Sequence, residues 1–83
     1  MHYIPGEIIV KFKKRVLDTE ARNIIEEFFE LTVKEFISTR DGNLYCIAVD
    51  QGSEEAMILG FEKLSTIVID AKRNYTTTPL KTP

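Results

Sequence analysis

The sequence predicts an α+β domain whose elements run β-α-β-β-α-β. Three observations carry that prediction. A Pro5-Gly6 turn signal is followed by a run, Glu7-Ile8-Ile9-Val10-Lys11-Phe12-Lys13, dense in β-branched and aromatic residues. Two later stretches show the i, i+3, i+4, i+7 spacing or broad apolar surface of core-facing helices. Between them, Asp41-Gly42 sits between two strand-like runs, which is a hairpin signal.

Strand one is expected over Glu7 to Lys13. Ile8, Val10 and Phe12 share one face by the period of two, and Ile9, Lys11 and Lys13 share the other. After a connection through Lys14 to Leu17, Asp18 or Thr19 can cap a helix, with Glu20 placed well for the helix dipole. Ala21, Ile24, Ile25 and Phe28 form its apolar face, and the helix should reach about Glu30. Leu31 to Ser38 reads as strand two, Thr39 to Asn43 as the turn, and Leu44 to Val49 as strand three. Strand three is apolar on both faces and so expects cover on both.

Asp50-Gln51-Gly52 breaks the chain again. Ser53 suits an N-cap, with Glu54 and Glu55 in the first turn and Ala56, Met57, Leu59, Phe61 and Leu64 as the apolar surface of helix two. Gly60 inside that helix costs about 1 kcal/mol relative to Ala. A close approach of helix to sheet would explain it. Thr66 to Ala71 reads as strand four. Asn74 to Pro83, with four threonines, two prolines and no periodicity, reads as an exposed, extended tail. The folded domain is expected over residues 1–75, with 76–83 as its C-terminal extension.

This order is the split βαβ of the ferredoxin-like fold. Right-handed crossovers place both helices on one face of a four-stranded antiparallel sheet. The expected core is Ile8, Val10, Phe12, Ile24, Phe28, Phe61 and Leu64. The other sheet face should expose Ile9, Lys11, half of strand three and part of Ile67 to Ile69. An apolar area of that size points to a partner.

Composition narrows the function. Eighty-three residues make one domain with a thin core. Hydrophobic content of 43% against 29% charged residues argues for a folded chain. A net charge of −2 and a pI near 5.4 give no electrostatic footprint for nucleic acid. One cysteine leaves no internal disulfide and no cysteine-based zinc site. No apolar run has the length of a membrane span and no signal peptide precedes the domain, so the chain as written is expected in the cytoplasm. If it is a fragment of a precursor, that expectation lapses.

The chemical inventory points away from an enzyme and from any cofactor or metal. His2, the single histidine, sits at the N-terminus, where a terminal histidine is ordinarily inert. Cys46 lies in an apolar strand with no histidine to activate it. Glu26, Glu27 and Glu30 read as a solvated helix face. No phosphate-binding glycine motif occurs. Tyr45 lacks the basic and aromatic company of an RNA-stacking sheet, so it is expected to be packed.

The run Tyr3-Ile4-Pro5-Gly6-Glu7-Ile8-Ile9-Val10-Lys11-Phe12-Lys13 resembles the opening of subtilisin-like serine protease propeptides. Val68-Ile69-Asp70-Ala71-Lys72-Arg73-Asn74-Tyr75 is similar to the run that closes those domains, and Ser53 to Ala56 and Gly60 to Lys63 sit where the family has its second helix. The resemblance spans roughly residues 3 to 80. It implies a ferredoxin-like domain that packs its open sheet face on two surface helices of a subtilisin-like protease, assists its folding and inhibits it as a product would. The C-terminal segment would lie in the substrate groove as an added strand. The residues so assigned are Ile9, Lys11, Lys72 and Asn74 on the face, and Thr76, Thr77, Thr78, Pro79 and Leu80 in the groove. Leu80 would enter the first specificity pocket and Thr77 the fourth. One departure stands out. Many members of the family carry acidic residues just after strand four that cap protease helices, and here the first such position is Lys72. Asn74 keeps a polar cap at the other. The alternative is a stand-alone ferredoxin-like domain that forms a weak homodimer through the same face. An acylphosphatase-type enzyme would need a glycine-rich anion loop that the chain lacks.

Overall fold

The computed structural model describes residues 2–76. Four strands and two helical segments follow the predicted order: β1 (His2–Lys13), α1 (Asp18–Asn23) continuing into a π-helical segment (Ile24–Phe28), β2 (Thr32–Ser38), β3 (Gly42–Ala48), α2 (Glu54–Glu62) and β4 (Val68–Thr76). The sheet is antiparallel throughout, in the order β2-β3-β1-β4, which is the ferredoxin-like arrangement. β1 and β3 are central, which places the most apolar strands where both neighbours pair with them.

The alternation predicted for β1 holds. Ile8, Val10 and Phe12 are fully buried beneath the helices, together with Tyr45, Ile47, Ile25 and Phe61. Full burial of side chains of this size contributes about 1.5–3 kcal/mol each. Tyr45 is packed as expected. Its ring meets Phe12 edge-on at 5.5 Å, and its hydroxyl donates to Asp18 Oδ1 at 2.7 Å. Burial first, and the Asp18 carboxylate second, push the phenol's pKa up.

The helix after β1 departs from the expectation in two ways. Its N-cap is Leu17, not Asp18 or Thr19. Glu20 Oε1 accepts the Leu17 amide at 3.0 Å, while Asp18 turns to Tyr45 and Arg22. The second half then closes as a π-helix, with the Phe29 amide bonded to the Ile24 carbonyl at 3.0 Å. This i→i+5 closure adds a residue to the turn. The apolar face therefore reads Ala21, Ile25, Phe29, each four apart, and Phe28 is carried outward. Phe28 is 74% exposed and lines a shallow apolar groove with Asn23, Ile24, Leu64 and Ile67. The expected place of Phe28 in the core belongs to Phe29, whose ring stacks on Phe61 at 4.0 Å. Ile24 and Leu64 are partly buried at the core's margin. Glu30, at φ 58°, ends the segment in the left-handed conformation usual for helix C-termini.

Gly60 has a reason other than helix–sheet approach. A Cβ there would stand 3.0 Å from Phe29 Cε1, so the glycine admits the Phe29 ring between the two helices.

β1 begins earlier and β4 ends later than expected. Three extra β1 residues separate the Tyr3–Tyr75 pair from the Ile8–Arg73 pair, and Gly6 at φ 79° makes that irregularity possible. Glu54 fixes it: its carboxylate accepts the Gly6 amide and the Gly52 amide, each at 2.8 Å. Pairing then resumes at Tyr3, whose ring carries the Arg73 guanidinium at 4.3 Å. Asn74, Tyr75 and Thr76 thus belong to β4 and not to a tail.

Candidate partner-binding surface

Both helices pack on one face of the sheet, and among the described residues no element covers the other. Register defines that second face. One row runs Ile37, Leu44, Lys11, Asp70, and the next runs Glu35, Cys46, Ile9, Lys72. Thr32, Ala48, Glu7 and Asn74 follow at the end where β4 finishes. Strand three therefore has cover on one face only, contrary to the expectation from its apolar run. Leu44, Ala48 and Ile9 remain half-buried and Ile37 is 48% exposed. The face carries Leu44, Cys46, Ala48 and Ile9 on the central strands with Ile37 beside them on β2, interrupted on β1 by Lys11 and Glu7 and bordered on the edge strands by Glu35, Asp70 and Lys72.

The assigned face residues are brought together. Ile9 lies between Cys46 and Lys72 in register. Lys11 is ion-paired with Asp41 at 2.9 Å, which ties β1 to the hairpin turn. Lys72 is exposed, and no carboxylate lies within ion-pair distance of it among the described residues. Asn74 is half-buried, with its amide nitrogen 2.9 Å from Glu7 Oε1. Thr76 pairs with His2 at the last rung of β4. Thr77, Thr78, Pro79 and Leu80 lie outside the described residues.

One group on this face went unnoticed in the sequence. The Glu7 carboxylate touches all four strands. On β1 itself, it accepts from Asn74 of β4, from the Cys46 thiol of β3 at 3.4 Å, and from Lys34 of β2 in an ion pair. The Lys34 contact, then the Asn74 amide, hold its pKa below the ordinary carboxylate value. Burial, and then the Glu7 carboxylate, push the Cys46 thiol up to about 11, so at neutral pH it is a protonated hydrogen-bond donor. The alternation of β1 puts Glu7 on the face of Ile9 and Lys11. Lys34 could not be placed so, because a register shift between Val33 and Glu35 carries it to this side.

Among the described residues, no cluster of three histidine, cysteine or acidic side chains could hold a metal ion, and no helix is long and apolar enough to cross a membrane. The surface offers apolar area and a few fixed polar groups around Glu7. No protein-family model, curated protein or solved structure matches the chain.

Proposed function

We propose that the domain is a propeptide-like inhibitor and folding chaperone of a subtilisin-like serine protease. The observation that carries this reading is the uncovered sheet face, with Ile9, Leu44, Ala48 and Ile37 at its surface and β4 along its rim. A partner burying that face gains about 25 cal/mol for each Å² of apolar area removed from water. Thr76 is the last described residue of β4, an edge strand of this face. The segment after Thr76, through Leu80, would enter the protease groove as an added strand, with Leu80 in the first specificity pocket. Threonines favour the extended form, and Pro79 restricts both itself and Thr78, which lowers the ordering cost.

Lys72 stands where many members of the family carry an acidic cap. A cation facing a helix N-terminus is unfavourable, so a protease that accepts this face would need a carboxylate or a helix C-terminus opposite Lys72. Mixing the purified domain with a panel of subtilisins tests the proposal. Concentration-dependent slowing of peptide hydrolysis is the expected result. A domain that dimerises with rising concentration and slows none of the panel would overturn it in favour of self-association.

A further inference from the structure

We propose that Glu7 is a positioning residue for partner binding, holding the Asn74 side-chain amide so that its oxygen is presented to an N–H donor on the protease. The inference rests on the inhibitor reading above. It starts from one contact, Asn74 Nδ2 to Glu7 Oε1 at 2.9 Å, on the uncovered face at the end of β4. A carboxylate only accepts hydrogen bonds, so it tolerates the nitrogen end of the amide and repels the oxygen end. Cys46 adds to the selection, with its sulfur 3.8 Å from the same nitrogen. The two ends of a carboxamide point apart. With Nδ2 fixed inward, Oδ1 turns away from Glu7, and it has no hydrogen-bond partner among the described residues.

The Glu7 carboxylate is itself fixed. Lys34 occupies Oε2, and the thiol and the amide share Oε1. An acceptor aimed in advance spares the partner the cost of ordering it. The chemistry it selects is an unpaired N–H, such as those at the start of a helix.

Glu7→Gln tests this with little change in shape. Lys34 keeps the glutamine oxygen on its own side, so the glutamine nitrogen faces Asn74. Two donors then meet, and the Asn74 amide turns over, presenting NH₂ outward in place of oxygen. Asn74→Asp keeps an oxygen outward whichever way it turns, but it sets one carboxylate against another, and the repulsion swings the side chain out of its held position, so it should also weaken binding. The pair Glu7→Gln with Asn74→Asp exchanges donor and acceptor across the contact and again leaves an oxygen outward.

The measurement is the inhibition constant against whichever subtilisin of the panel the unaltered domain inhibits. Each single variant should be weaker by about tenfold, and the pair should recover to within about threefold of the unaltered domain. Full inhibition by Glu7→Gln, or a pair no better than its singles, would overturn the proposal. A loss of packing alone would not be reversed by the second substitution. If the unaltered domain inhibits none of the panel, it is the inhibitor reading that fails. The orientation is then read from the free domain by the ¹⁵N-resolved side-chain amide of Asn74. Its two protons should be widely separated and protected from exchange, and should lose both properties in Glu7→Gln. An Asn74 signal indifferent to Glu7→Gln would overturn the positioning role on its own.

Discussion

Replacing Phe29 with alanine removes the ring that joins the two helices. Phe29 stacks on the fully buried Phe61 at 4.0 Å and fills the space that Gly60 leaves open. Truncating a buried phenylalanine costs about 3–5 kcal/mol, and the partial exposure of Phe29 places it at about 3 kcal/mol. Phe28 meets Phe29 edge-on at 5.1 Å but is 74% exposed. Phe28→Ala should cost at most about 1 kcal/mol. The contrast matters because a domain of this length has only about 4–12 kcal/mol in total. Urea denaturation followed by far-ultraviolet circular dichroism separates the two, since a loss of about 3 kcal/mol lowers the midpoint by roughly 2–3 M. The π-helical closure at Ile24–Phe28 is what sets the two rings apart. If Phe28→Ala proved the more damaging, that segment would be an ordinary α-helix with Phe28 facing the sheet.

Two further outcomes follow from the same geometry. Ile9→Asp should leave the fold intact, because Ile9 is on the uncovered face beside Lys72, and should weaken protease inhibition by at least about tenfold; a variant that unfolds would make Ile9 a core residue. Stability should fall in acid. Glu7 is held below its ordinary 4.5 by Lys34 and Asn74, Asp18 below 3.8 by the Tyr45 hydroxyl, and Glu54 below 4.5 by the Gly6 amide. Each gains protons on unfolding in acid, so their stabilisation is complete above about pH 4.5 and is lost as pH drops through the depressed values. A urea midpoint unchanged between pH 7 and pH 3 would contradict that.

The strand and helix order was legible because each element carries its own periodicity. Ile8, Val10 and Phe12 alternate without interruption, and Asp41-Gly42 marks the hairpin. Phe28 was misplaced because the sequence of a helix does not announce a π-turn. Ala21, Ile24, Ile25 and Phe28 fit an ordinary helix, while Ala21, Ile25 and Phe29 fit the one that forms. Strand four is legible only as far as Ala71, because Lys72 and Asn74 look like loop residues. They are the outward side of an edge strand whose inward side is Ala71, Arg73 and Tyr75. The face residues Ile9, Lys11, Lys72 and Asn74 were found by alternation and resemblance together. The Glu7 network was not, because it depends on four strands meeting at one carboxylate, and no local pattern records such a meeting.

The central claim, that this domain docks on a subtilisin-like protease and feeds its C-terminal segment into the groove, is tested most directly by truncation. Inhibition constants of the full chain and of a chain lacking residues 77–83 are compared on the same protease, with β4 left whole in both. The account predicts slow hydrolysis with the full chain and inhibition at least about tenfold weaker, or 1.4 kcal/mol, after truncation. Equal inhibition by the two chains would take the tail out of the groove, and failure of the full chain to slow any subtilisin would contradict the docking itself.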